Sequence, residues 1–142
     1  MIVSQSAKPS SSDITVTLKR LVALLEEDET DEYGILQPSQ SAFKLAMRLV
    51  VDVYEIMGDR FPKASASTDE QGGIRLTWSK QSPECEVRLI CPPTAIQQAT
   101  LYHELGDDYA IEPVYWRSDR KSSGNLNNFL FYYIHFKLIL LP

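Results

Sequence analysis

Imidazole chemistry in this chain rests on two residues, His103 and His135. A histidine acting as a general base needs a hydrogen-bonded carboxylate to fix its tautomer and a substrate proton within reach. Tyr102-His103-Glu104 reads as strand, with Tyr102 and Glu104 on one face and His103 on the other. The adjacent glutamate therefore points away from the ring, and the sequence supplies His103 with no evident orienting partner. The expectation is a half-exposed strand histidine. A small hydrolase or ligand-binding protein using His103 and nearby carboxylates is the alternative. His135 lies among bulky apolar residues and is expected to be packed or tail-borne rather than reactive.

Carboxylates that could converge are Asp69, Glu70, Glu84, Glu86, Glu104, Asp107 and Asp108. Glycosidic or metal-assisted hydrolysis needs two or more of them at one point in space, and their spacing indicates no such meeting. Cys85 and Cys91 share a strand face but stand roughly 20 Å apart along it, beyond the reach of a disulfide. They read as reduced core residues. No Cys-x-x-Cys pair accompanies the nearest histidine, so no metal is expected. Gly72-Gly73 lacks the further glycines, lysine and following helix of a phosphate-binding loop, and no cofactor is expected. Whether the protein is an enzyme stays open on these residues, with the weight on no.

Arg75 and Arg88 present a different chemistry. Each stands opposite the apolar face of its strand. Pairing about a connection near residues 81–82 would place them on roughly adjacent cross-strand positions. Glu86 would separate or neutralise them. The polar face Arg75, Thr77, Glu86 and Arg88 could hold a carboxylate or phosphate through guanidinium forks, or it could be the wet face of a two-layer protein. With Tyr102 and His103 added, these six are the candidate binding residues; no catalytic residue is assigned. RNA recognition by a sheet would want several exposed aromatics among basic residues, and Trp78 is expected to face inward.

The elements that must position these groups are legible from periodicity. Ile74, Leu76 and Trp78 alternate with Arg75 and Thr77, and Cys85, Val87, Leu89 and Cys91 alternate with Glu86, Arg88 and Ile90. This period marks strands with one buried face, and residues 73–79 and 84–91 form a hairpin around Ser82-Pro83. Residues 64–68 read as a short first strand, with Gly72-Gly73 as the turn after it. Pro92-Pro93 ends the hairpin. A possible turn of helix leads to a fourth strand near residues 100–104, and Gly106-Asp107-Asp108 turns into an edge segment over residues 109–114. Asp13 and Thr15 offer caps for a short helix whose Leu18, Leu21, Val22 and Leu25 form a stripe. It runs into the acidic stretch from Glu26 to Glu32, expected as a solvated linker. Pro38-Ser39 opens a longer helix, with Phe43, Ala46, Met47, Val50, Val53, Tyr54 and Met57 on one stripe. Leu45, Leu49, Val51 and Ile56 widen that stripe, and Gly58 and Pro62 close the helix. The fold expected is α+β and two-layered: an antiparallel meander of about four to five strands packed against one long and one short helix.

The chain has 142 residues, 44% hydrophobic and 23% charged, enough for one domain with its own core and too few for two. Residues 1–12 read as a flexible arm without the apolar core of a secretory signal. Residues 13–114 read as the single domain. Residues 115–142 read as a polar linker from Trp116 followed by an apolar segment, Phe129 to Leu141, whose packing the pattern leaves open. That run falls short of the roughly 20 residues that cross a bilayer, so a membrane partner is disfavoured and a cytoplasmic location is the default. A formal net charge of -5 disfavours nucleic acid and suits a protein partner carrying positive charge.

Pro38-Ser-Gln-Ser-Ala42 with the helix after it, Phe61-Pro62, the segment from Asp69 to Trp78 and the segment from Glu86 to Ile90 resemble a group of small uncharacterised bacterial proteins, cyanobacterial ones especially, some similar to antitoxin-like partners. The resemblance covers roughly residues 31–112. It implies a compact α+β partner protein and transfers no catalytic signature. The stretch from Trp116 and the apolar end depart from the pattern. The function expected is a non-enzymatic protein-binding module, antitoxin-like or inhibitory, acting by steric occlusion. A protein partner or homo-oligomer is expected, and a nucleic-acid accessory role is the last alternative.

Overall fold

The computed structural model describes residues 12–28, 30–32, 34–35, 37–81 and 84–114. The expectations placed on residues 1–11, on the Ser82-Pro83 connection and on residues 115–142, His135 included, lie outside the described residues. The rest is the two-layer α+β arrangement that the periodicity predicts.

Helix α1 spans Asp13–Ala23 and is followed by a 3-10 turn, Leu24–Glu26. Its cap is Ser12, not Asp13 or Thr15: the Ser12 hydroxyl accepts a hydrogen bond from the Thr15 N–H at 3.3 Å. The buried stripe also differs from expectation. Ile14, Thr17 and Leu21 face the core, whereas Val22 and Leu25 are exposed. Thr17 is the polar member of that stripe and is fully buried. Its hydroxyl donates to the Asp13 carbonyl at 2.8 Å and accepts from the Ala64 N–H at 3.0 Å. A side chain that joins a helix to a distant backbone donor replaces an apolar contact here, so the buried edge of α1 runs through a residue that a purely hydrophobic stripe omits.

The acidic stretch is not all linker. Thr30–Asp31 (β1) pairs antiparallel with Gly34–Ile35 (β2). Gln37 holds the approach to this turn by donating through Nε2 to the carbonyls of Leu25 and Glu27 at 3.0 and 2.7 Å.

Helix α2 spans Gln40–Met57. Ser39 caps it, accepting from the Ala42 N–H at 3.0 Å while its hydroxyl donates to the Pro93 carbonyl at 2.6 Å. Gly58 ends it, its N–H returning to the Tyr54 carbonyl. Ala42, Ala46, Leu49, Val50, Val53 and Met57 are buried, with Phe43, Leu45, Met47 and Tyr54 packed against them at the rim. The face is narrower than the apolar residues suggested, since Val51 and Ile56 look outward.

Five strands form one antiparallel meander in chain order: β3 (Ser65–Thr68), β4 (Ile74–Gln81), β5 (Glu84–Cys91), β6 (Ala99–Leu105) and β7 (Asp108–Val114). Turns and bends, not a helical turn, lead from β5 to β6. Helix α2 covers β4 and β5, and α1 lies against β3 and α2. Between the layers sit Ile74, Leu76, Trp78, Val87, Leu89 and Leu101, each at most 1% exposed. Trp78 donates its indole N–H to the Pro62 carbonyl at 2.9 Å and meets Phe61 edge-on at 6.0 Å, so the largest buried side chain leaves no polar atom unpaired. Cys85 and Cys91 are buried and form no disulfide, and burial pushes the Cys91 thiol up to about 12.

The turn into β4 needs its glycine for space. Asp69 folds its carboxylate back onto the N–H groups of Gln71 and Gly73, both at 2.8 Å. A Cβ on Gly73 would stand 2.6 Å from that carboxylate and 2.7 Å from the Cys91 carbonyl.

Candidate functional site

Period two fixes which side of the sheet each strand residue occupies, and register fixes its lateral neighbours. Opposite the helices, one row runs Ser65, Thr77, Arg88, Tyr102, Ile111 across the five strands. The next rows carry Ser67, Arg75, Ile90, Thr100, Pro113 on one side and Ser79, Glu86, Glu104, Tyr109 on the other. No described helix covers these rows.

Five of the six sequence candidates, Arg75, Thr77, Glu86, Arg88 and Tyr102, therefore share this outer face. Arg75 and Arg88 occupy the roughly adjacent cross-strand positions expected, though not directly opposite ones. Arg75 faces Ile90 and Arg88 faces Thr77, so the two arginines are diagonal. Gln81 pairs with Glu84, and this register sets every lateral contact of the two strands.

Arg88 is the centre of the face. Its guanidinium binds the Glu86 carboxylate at 2.5 Å and lies over the Tyr102 ring, 5.1 Å from the centroid. Tyr102 donates its hydroxyl to Glu104 at 3.0 Å, and its ring stands 6.2 Å from that of Tyr109. Tyr109 and Ile111 are 70% and 63% exposed, the most open large apolar side chains of the sheet. Glu86 and Glu104 face each other directly, a like-charge pairing that costs stability. The Arg88 guanidinium and the Tyr102 hydroxyl offset it. Partial desolvation, the hydrogen bond to Glu104 and the negative charge of Glu104 and Glu86 raise the Tyr102 phenol above its ordinary value, while Arg88 opposes the shift. The result is a positioned arginine–tyrosine stack: one guanidinium NH2 and the Tyr102 hydroxyl are engaged, the Arg88 Nε is buried without a partner, and the apolar edges are open.

His103, the sixth candidate, lies on the helix-side face, directly between Val87 and Ala110. It does have an orienting carboxylate: Nε2 is 2.8 Å from the Glu112 carboxylate on β7. Glu112 arrives from the next strand, nine positions away, and not from the neighbours of His103 along its own strand. The ring is also more enclosed than half-exposed, at 13%.

A groove of about 630 Å³ runs between α2 and the β5–β6 connection, with Lys44, Leu45, Arg48, Ile96, Ala99 and Val114 among its walls. Neither His103 nor Glu112 lines it. Among the described residues no group of three or more His, Cys, Asp or Glu gathers as metal ligands, and no helix is long and apolar enough to cross a membrane. Comparison with family models, with curated proteins and with solved structures returns no match.

Proposed function

We propose that this protein is a non-enzymatic binding module that docks a protein partner on the outer face of its sheet, centred on Arg88 and Tyr102. The observation that carries this reading is the Arg88–Tyr102–Tyr109 stack beside exposed Ile111. Tyrosine and arginine are enriched among the residues that dominate interface energetics, tyrosine because it buries large area with few rotatable bonds and arginine because its planar fork presents several donors at once. Here both are held before any partner arrives, Arg88 by Glu86 and Tyr102 by Glu104, so little ordering entropy remains to be lost on docking. The mode of action is steric occlusion of the partner's working surface, and the resemblance to antitoxin-like proteins makes a toxin or nuclease the partner class.

The test is affinity capture with the full chain against Arg88→Ala and Tyr102→Ala. The reading requires a protein enriched by the parent and lost by both variants, with melting temperature held. Equal enrichment by all three refutes it.

The His103–Glu112 pair favours a second reading, a hydrolase with His103 as base. A carboxylate-oriented imidazole is the right component, but it is enclosed on the packed face and apart from the groove. His103→Gln in the full chain, assayed with the captured partner, separates the two readings. Binding that survives belongs to the module.

A further inference from the structure

The strand β7 ends the sheet, and its backbone parity can be derived. The Gly106 N–H donates to the Glu84 carbonyl at 3.2 Å, so the even residues of β6 turn their backbone groups toward β5 and the odd ones toward β7. The two-residue connection Gly106-Asp107 agrees. Gly106 has φ +61 and Asp107, like every described non-glycine residue, does not have positive φ, which is the II′ hairpin geometry that makes Leu105 and Asp108 a doubly bonded pair. Asp108, Ala110, Glu112 and Val114 thus spend their backbone groups on β6. Tyr109, Ile111 and Pro113 aim theirs away from the sheet, where β7 has no described neighbour strand.

We propose that β7 pairs antiparallel with β7 of a second copy, about a two-fold axis at Ile111, to form one continuous ten-stranded sheet. Three observations commit the edge to a second copy and to this register. Exposed Ile111 meets Ile111 of the copy, and exposed Tyr109 meets Pro113 of the copy, on the outer face. Pro113 has no N–H, yet its carbonyl faces outward and accepts from the Tyr109 N–H of the copy, so the missing donor costs one bond per strand and not the ladder. On the helix side Glu112 meets Ala110. Sliding two residues one way would set Glu112 against Asp108, and two the other way Glu112 against Glu112. Like charges directly opposite disfavour both. Of these three registers, the one at Ile111 alone opposes no like charges.

This inference goes beyond the binding reading, which needs Arg88 and Tyr102 in a single copy. One strand per copy makes a small interface, in the class below about 1,200 Å² that forms weak, concentration-dependent complexes. Sedimentation or light scattering of the full chain from about 10 to 500 µM should therefore show mass rising toward a dimer. Ile111→Pro removes the outward N–H and the side chain on the axis, costs no bond to β6, and should leave a monomer. Ile111→Lys and Ile111→Glu should each be monomeric alone and dimerise when mixed, since the axis sets them face to face. The mixing experiment decides the matter even if the proline variant fails to fold. A parent chain monomeric throughout, an Ile111→Lys variant that still dimerises, or a mixture that stays monomeric each overturns the proposal. Loss of partner capture by Arg88→Ala is read separately, so either proposal can fail alone.

Discussion

Replacing Thr17 by valine keeps the shape of the side chain and removes one oxygen. Thr17 is fully buried, and so is Ala64, whose N–H it receives at 3.0 Å. The Asp13 carbonyl, which the hydroxyl also contacts, keeps the ordinary helical bond from the residue 17 N–H. The damage is therefore concentrated on one buried donor left without a partner, at a cost of about 1–3 kcal/mol. Taking about 2 kcal/mol, and an unfolding entropy of about 0.3 kcal/mol/K for a chain of this size, the melting temperature falls by about 7 °C. The urea midpoint falls by about 1 M. Thr17→Ser keeps the oxygen and loses one methyl, worth about 1 kcal/mol. Urea denaturation of the three proteins checks the order: parent, then serine, then valine. A serine variant less stable than the valine variant would mean that packing, not the hydrogen bond to Ala64, governs this position.

Other perturbations follow the same logic. Cys91 holds its proton to about 12 while an unfolded thiol ionises near 9.0. Stability is therefore full below about 9 and declines as pH rises from there toward 12, and native-state alkylation of this thiol at mild pH should be far slower than in urea. Glu104→Gln removes the negative charge that raises the Tyr102 phenol and leaves only a weaker neutral acceptor, so spectrophotometric titration should show its pKa falling. Arg88→Ala removes the opposing charge, and the pKa should rise further. Val51→Lys and Ile56→Lys should each leave stability within about 0.5 kcal/mol by chemical denaturation, because both side chains look outward from α2.

The layered fold was legible because its signals are local. Alternation in β4 and β5 names the buried face residue by residue, and Ser39, Gly58 and the Gly72-Gly73 pair mark where elements begin and end. Errors occurred where a decision depends on something distant in the chain. Val51 and Ile56 are as apolar as Leu49, and only the width of the sheet beneath α2 decides that Leu49 is covered and they are not. Thr17 carries no mark of burial in its own neighbourhood; its partner Ala64 is 47 positions away. The Thr30–Asp31 and Gly34–Ile35 ladder is too short to show a period.

The candidate site separates into the same two kinds of information. Facing is a property of one strand, and Arg75, Thr77, Glu86, Arg88 and Tyr102 could each be placed on the outer face from the sequence. Adjacency is a property of register, which loop geometry sets and sequence pattern constrains only modulo two residues. A two-residue slip of β5 against β6 preserves every buried position, and it would move Arg88 from Tyr102 to Thr100 or Glu104. Hydrophobic burial is blind to that choice in first approximation; the stack and ion pair that follow from it are not. Arg88 over Tyr102 exists because β6 enters after the Pro92–Gln98 connection at one phase, held by Ser39 on the Pro93 carbonyl and by Gln98 on the Val114 carbonyl. The chemistry of the outer face is thus fixed from a loop at the end of the sheet. Loosening that loop, as Gln98→Ala would by giving up the Val114 carbonyl, should shift the Tyr102 titration while leaving the urea midpoint nearly unchanged.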